Sequence, residues 1–257
     1  MSITVIIHTH NEEHNIKDCI EAAKLLTSEI LVVDMESTDK TAEIARSQNV
    51  TVKTTLFSHY VEPARAFGIK HASTEWVFII DADERMTKKL AAEVKYAIDF
   101  DPASPYFHSY FRIPRKNIFG KKVWLRHGGW WPDCQIRLLN KNYFKEWPKE
   151  IHSTPRIDGI EGHLKEPLLH YFHGDLEKMV EKTIIFEDIE SDLLFKAGRP
   201  VHKNTFFRKF FGELYRRLIK QKGFLDGPVG IIESIYQAFS KTITYLYLYE
   251  KKNSRSV

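Results

Sequence analysis

Two aspartates two residues apart, Asp81 and Asp83, with Glu84 behind them, follow an unbroken apolar run over residues 76–80. Carboxylates at this spacing can share one hard divalent cation, and a cation so held can neutralise a diphosphate. The competing account is a strand ending in a polar turn, where aspartate is common for conformational reasons. The run is too short to cross a bilayer and too continuous for a strand with one wet face, so it reads as a strand buried on both faces. Open α/β sheets bind ligands beyond the carboxyl ends of such strands, where these carboxylates emerge.

The elements that must position them repeat one pattern. Residues 3–7 are apolar and β-branched, the polar cluster His8-Thr-His-Asn-Glu-Glu13 follows, and helical spacing begins at Ile16, Cys19, Ile20 and Ala23. Residues 30–33 lead to Asp34 and a turn in which Ser37 or Asp39 suits the N-cap of a helix over 41–47. A strand over 50–54 and a helix over 63–71 complete the approach to residue 76. Strands alternating with helices predict a parallel sheet with right-handed crossovers, and therefore place Asp34 on the same rim as Asp81 and Asp83.

Further along, the spacing predicts a helix over 91–98, a loop at 101–105 and a weakly alternating strand over 106–114. Trp124, Trp130 and Trp131 surround a Gly-Gly turn, and Asp133 precedes a strand over 135–139. Aromatic rings beside polar groups suit a sugar, which stacks its C–H face and hydrogen-bonds its hydroxyls. Trp124 reads as a core corner; Trp130 and Trp131 read as binding residues. His170 and His173 close another apolar run. A strand puts positions three apart on opposite faces, so His170 alone is carried forward as a metal ligand.

The last eighty residues are helical in pattern. Residues 176–195 show helical spacing with Asp175 as N-cap, and residues 229–249 form an amphipathic helix interrupted by Glu233, Gln237 and Lys241. Between them, residues 203–222 interleave aromatics with seven cations against the single Glu213. Such a helix suits an anionic membrane surface, or else packs on the domain with its cations snorkelling outward.

At 257 residues, with 43% hydrophobic and 28% charged residues, the chain has the composition of a globular protein, either one large domain or a domain with an appendage. A net charge of +4 does not call for nucleic acid. Cys19 and Cys134 form neither a disulfide framework nor a zinc pair, which fits a reducing cytoplasm. The amino terminus passes directly into the first strand without a leader pattern, an expectation of a protein neither secreted nor inserted.

The segments TVIIHTHNEEHNI, EILVVDMESTDKTAEIA and ARAFGIKHASTEWVFIIDADERM, in this order and spacing, resemble the nucleotide-binding half of family-two glycosyltransferases. The resemblance implies the GT-A fold, a Rossmann-like α/β arrangement with a mostly parallel mixed sheet and helices on both faces, here with a helical carboxyl-terminal extension. It implies a nucleoside-diphosphate sugar donor, contacted by Thr9, Asn11, Glu12 and Asp34. It also implies a divalent cation, Mg²⁺ or Mn²⁺, on Asp83 with Asp81 on the ribose or a metal-bound water, and inverting transfer. Arg65, in EPARAFGI, matches the stretch that passes the pyrophosphate. The second-strand loop departs from the family's DSGSTDGT, so Glu36 and Lys40 stand where glycines are usual. His10 replaces the more common Tyr or Lys.

GGWWPDCQIRLL further resembles the branch that builds lipopolysaccharide core. Family members there often carry a His-Glu pair, which this chain lacks. Asp133 is then the first choice for the base that takes the acceptor's proton, and Glu150 the second. These readings divide the chain into a catalytic domain over 1–174, with a nucleotide half to residue 100 and an acceptor half beyond it, and a helical extension over 175–257. The acceptor is a glycan or glycolipid met at the anionic inner membrane face, the enzyme being cytoplasmic and peripheral, with no nucleic acid partner. Two other functions remain open at this point. A nucleotidyltransferase would carry a Gly-rich basic loop after the first strand, where this chain is acidic. An inactive membrane-surface scaffold would keep the fold without its chemistry.

Overall fold

The computed structural model describes residues 2–172 and 176–254; His173, Gly174 and the expected N-cap Asp175 lie outside the described residues. The first part alternates as predicted: β1 (Ile3–Thr9), α1 (Ile16–Ala23), β2 (Ile30–Asp34), α2 (Thr41–Ser47), β3 (Thr51–Thr54), α3 (Glu62–His71) and β4 (Trp76–Asp81). There follow β5 (Glu84–Arg85), α4 (Lys88–Ala97), β6 (Tyr110–Phe119), β7 (Val123–Trp124), β8 (Asp133–Asn140), β9 (Phe144–Glu146), β10 (Arg156–Ile157), β11 (Glu161–His163) and β12 (Leu168–Phe172). The carboxyl-terminal helices are α5 (Leu176–Lys196), α6 (Lys203–Leu214) and α7 (Gly227–Asn253); a π turn, Tyr215–Lys220, continues α6. β6 starts later than its alternation suggests, because turns closed by Ser104 N–H on Asp101 O and Phe107 N–H on Ser104 O occupy the residues before it.

Two compact units result, Met1–Arg115 with Asp133–His170 and Lys116–Pro132 with Tyr171–Val257. In the sheet, strand order runs β3-β2-β1-β4-β8-β6-β12-β5. Its first four strands are mutually parallel and β8 joins antiparallel to β4. Successive side chains of a strand point to opposite faces. Accordingly Val5, Ile7, Val32, Phe78 and Ile80 pack with α1 and α4 through Ile16, Cys19, Ile20, Leu90 and Val94. Ile6, Leu31, Val33, Val77 and Ile79 pack on the other side with Ala64 and Ile69 of α3. α3 lies close on the sheet because residue 68 is glycine: a Cβ there would sit 2.7 Å from Ile6 Cγ2 and 3.2 Å from His8 Nε2. Gly68 and Arg65 share one helix face, three residues apart, so this close approach also sets the height of Arg65 above the strands.

The segment 116–132, expected within the acceptor half, groups instead with the carboxyl-terminal helices. Its links are non-local: Asp226 Oδ2 accepts the N–H groups of Arg126 and His127, both at 2.8 Å, and His127 Nδ1 lies 2.7 Å from Asp226 Oδ1. Gly128 donates to Gln221 O at 2.9 Å, and its own carbonyl accepts from Arg217 Nη1 at 3.0 Å. α7 is held to α5 by Tyr236 Oη donating to Met179 O and by Lys251 on Asp188 and Asp192, and to α6 by Phe206 on Tyr249. Among the described residues, no helix is long and apolar enough to cross a membrane.

Candidate active site

The three parallel strands end level. Thr9 is the register partner of Asp34, and His8 of Asp81, so one rim carries the ends of β2, β1 and β4 side by side. Two loops rise from it and are laced together. Asn11 N–H donates to Ser37 Oγ, and Asn11 Oδ1 accepts from Thr38 N–H at 2.8 Å. Glu12 N–H donates to Thr41 Oγ1 at 2.7 Å, Glu13 N–H to Asp39 Oδ2, and Lys40 N–H to Glu13 Oε2. Asp39 also accepts from Thr41 N–H at 2.9 Å, one residue ahead of the N-cap position, which Lys40 occupies. Glu36 takes the left-handed conformation, φ 53°, that glycine would occupy, whereas Lys40 does not, with φ −80°. Glu36 Oε2 accepts from Phe57 N–H, and the Phe57 ring lies 4.5 Å from that of His10.

Several polar atoms at this rim are buried and lack hydrogen-bond partners among the described residues. They are His8 Nδ1, Thr9 Oγ1, Asp34 Oδ1, Arg65 Nη1 and Arg137 Nε. Buried polar groups are ordinarily satisfied, so such a concentration singles out this rim as a candidate binding site. Asp34 keeps one structural bond, from Ser37 N–H to Oδ2. The Glu12 carboxylate accepts from Asn15 Nδ2 at 2.7 Å and braces the start of α1.

Beneath the rim lies an ionic network that joins Arg65 to two arginines with no role in the sequence reading, Arg115 and Arg137. Arg65 Nη2 reaches both Asp81 oxygens at 3.1 Å, and Arg137 Nη2 reaches Asp81 Oδ2 at 2.8 Å. The same Arg137 nitrogen lies 2.6 Å from Glu84 Oε1, which Arg115 Nη1 also approaches at 3.2 Å. Glu84 Oε2 in turn accepts the Asp81 backbone N–H at 2.9 Å. Burial by itself would raise the Asp81 carboxyl, but Arg137 and then Arg65 outweigh it and hold it well below the usual carboxylate range. His8, beside them, is pushed down to about 3, by burial first and Arg65 second, and is a neutral imidazole. Arg65 is flanked by the Trp147 ring, 5.1 Å from its guanidinium carbon.

Asp133 opens β8 directly across from Arg115 on β6. Its Oδ2 accepts from Arg115 Nε at 2.9 Å and Nη2 at 2.6 Å, and its Oδ1 from Gln135 Nε2 at 2.8 Å. The carboxylate is therefore fixed in orientation. Glu150 is exposed, in a turn anchored on α3 by His152 N–H donating to Glu62 Oε1 at 2.8 Å. Asp83 Oδ2 stands 3.4 Å from His170 Nε2, and His170 is the register partner of Glu84 across β12 and β5. Two donor atoms at that separation fit neighbouring positions around one small cation. Asp81 is instead committed to two guanidiniums. Among the described residues, no cluster of three His, Cys, Asp or Glu side chains is arranged around one point.

The tryptophans are engaged within the second unit. Trp130 packs on Phe172 at 4.9 Å with the Arg217 guanidinium 5.6 Å from its ring, so its face is not the open sugar platform expected. Trp131 meets Trp124 edge-on at 5.4 Å. Trp124 lies, half-buried, between Lys116 and Arg126, at 4.5 and 4.3 Å, and is not part of a core cluster.

A mixed sheet with its parallel strands ending level at a polar rim, and helices on both faces, is the GT-A architecture. The sequence profile described as Glycosyl transferase family 2 matches residues 4–155, and the chain belongs to that family. It is a glycosyltransferase. A Rhizobium meliloti (strain 1021) protein named lipopolysaccharide core biosynthesis glycosyltransferase LpsC is 34% identical over 270 residues, spanning 98% of this chain and 93% of that relative. A glycosyltransferase of Rickettsia bellii (strain RML369-C) is 25% identical over 260 residues, spanning 96% of this chain and 86% of the relative. Among solved structures, the mannosyltransferase PcManGT from Pyrobaculum calidifontis in complex with GDP-Man and Mn²⁺ superposes with a TM-score of 0.50 at 16% identity. That match covers 92% of this chain and 73% of the other, and supports the fold.

Proposed function

We propose that this glycosyltransferase moves a sugar, with inversion, from a nucleoside-diphosphate sugar to a glycan or glycolipid acceptor of the cell surface. The observation that carries the reading is the set of buried polar atoms without partners at the strand ends. Thr9, Asn11, Glu12 and Asp34 form the loop and strand end that receive the nucleoside, with Asp34 Oδ1 and Thr9 Oγ1 available for it. Arg65 offers its remaining N–H to the diphosphate, and Arg137 does the same beside it. Asp83 and His170 would hold a divalent cation, Mg²⁺ or Mn²⁺, with Asp81 behind them on the ribose or a water. When bound, that cation supplies neutralisation of the leaving diphosphate.

Asp133 takes the proton of the acceptor hydroxyl as its oxygen bonds to the anomeric carbon. The bond from that carbon to the phosphate oxygen breaks, and its electron pair leaves with the diphosphate. Arg115 and Gln135 keep the carboxylate aimed throughout. Glu150, in the turn anchored on α3, is the second candidate for this role. The name of the Rhizobium relative favours lipopolysaccharide core as the acceptor class. The complex of the Pyrobaculum enzyme with GDP-Man and Mn²⁺ favours a nucleotide sugar and a cation here. Such an acceptor is met at the cytoplasmic face of the inner membrane, where a peripheral contact with anionic lipid would keep the enzyme.

The test is titration calorimetry of UDP, GDP, dTDP and ADP with and without Mn²⁺, on wild type and Asp83→Ala. Cation-dependent binding of one nucleotide, lost in Asp83→Ala, is the expected result. Absence of any cation-dependent nucleotide binding by the wild type removes the proposal.

A further inference from the structure

α6 presents to solvent what a helix on a globular unit ordinarily hides. Phe207, Phe211, Tyr215 and Ile219 recur every four residues along α6 and its π turn, and are 69, 61, 63 and 51% exposed. Side chains four apart stand one above another, so the four make a continuous apolar ridge, about 18 Å long at helical rise. The row beside it, Arg208, Gly212, Arg216 and Lys220, is exposed at every position. The ridge is not the side on which α6 packs. Thr205 is buried, Phe206 rests on Tyr249, the Lys209 ammonium lies 4.5 Å from the Tyr245 ring, and Arg217 is tied to the Gly128 carbonyl.

Two rows, one aromatic and aliphatic, the other cationic, match the boundary of an anionic bilayer, where rings and aliphatic chains sit at headgroup depth and cations meet lipid phosphates. We propose that the ridge Phe207, Phe211, Tyr215, Ile219 is the face that seats this protein on anionic lipid, with Arg208 and Lys220 on the headgroups. The inference rests on the peripheral-membrane part of the proposed function and assigns it to particular side chains. Arg216 and Arg217 are secondary. Both are ion-paired to Glu213, and Arg217 is turned toward the Gly128 carbonyl.

The full chain is sedimented with phosphatidylglycerol/phosphatidylethanolamine vesicles and with pure phosphatidylcholine vesicles. Wild type should bind only the former. Phe207→Ser combined with Phe211→Ser should lower the bound fraction at least about ten-fold. Arg208→Gln combined with Lys220→Gln should weaken binding about five-fold per cation removed and flatten its salt dependence. All these positions are exposed, and thermal unfolding by circular dichroism checks that each variant keeps its fold. Both variants should bind nucleotide with Mn²⁺ as wild type does, so a failure here is separable from a failure of the catalytic reading. The proposal is overturned if wild type ignores anionic vesicles, binds both kinds equally, or is matched by the Phe207→Ser/Phe211→Ser variant. It is equally overturned if light scattering shows a dimer that this variant abolishes, since the ridge would then belong to a second copy.

Discussion

In the first unit Glu84 is fully enclosed and the Asp81 side chain is about a quarter exposed, yet both are met by guanidiniums at hydrogen-bond distance. In the second unit Glu233 of α7 is as deeply enclosed, at 1% exposure, and no guanidinium stands at hydrogen-bond distance from its oxygens. The contrast separates two uses of a buried carboxylate. Where arginines surround it, the charge is kept and its direction fixed. Where burial dominates, the charge is disfavoured: Glu233 is pushed up to about 7 by desolvation, with Gln237 one turn on and the Arg217 guanidinium offsetting only part of it.

The two regions should therefore respond to pH in opposite senses. Asp81 is held below its ordinary value, so its contribution is present above the unfolded value and is lost as pH falls through the folded one. His8 adds to this acid sensitivity, because between pH 6.5 and about 3 the unfolded chain binds a proton that the folded chain refuses. Glu233 acts the other way. From pH 4.5 to about 7 the folded chain retains a proton that the unfolded one releases, so stability declines as pH rises through that window.

Four substitutions probe this contrast. Asp133→Asn removes a carboxylate that arginine has aimed, and should slow transfer by about two to four orders of magnitude while leaving nucleotide binding intact. Single-turnover kinetics with the preferred donor measure this, and near-normal turnover would transfer the role to Glu150. Arg137→Met strips the shared cation from Asp81 and Glu84 and should cost about 3–5 kcal/mol in urea unfolding. A loss no greater than that of an exposed arginine would show that the network does not depend on it. Glu233→Gln should stabilise the protein by on the order of 3 kcal/mol at pH 8 and leave it nearly unchanged at pH 4.5. An equal effect at both pH values would mean that the charged form is not what burial penalises. Gly68→Ala drives a methyl group toward Ile6 and should cost about 1–3 kcal/mol while displacing Arg65 and weakening nucleotide binding. Stability lost with binding unchanged would uncouple α3 from nucleotide binding.

The alternation of strands and helices, and hence the common rim of Asp34 and Asp81, was legible because strand and helix periods are local properties of the chain. The partners of those carboxylates were not. Arg137 lies 56 residues beyond Asp81, and only the fold brings them together. One local mark was present: an arginine inside the apolar strand Ile136-Arg137-Leu138-Leu139 is a charge that needs a buried counterpart. The grouping of residues 116–132 with the terminal helices hinges on Asp226, a hundred residues from Arg126, and no spacing rule reaches that far. For Trp130, residue type suggested an open ring, but Phe172 and Arg217 cover it.

The lacing of the loop after β1 to the loop after β2 has a kinetic consequence. Backbone N–H groups of Asn11, Glu12, Glu13, Thr38 and Lys40 are already engaged between the two loops. Under the proposed function, a nucleoside arriving at this rim would find the receiving surface assembled, so little binding free energy would be diverted to ordering it. Capture should then be governed by diffusion and electrostatic encounter, and selectivity among nucleosides should be expressed mainly in residence time.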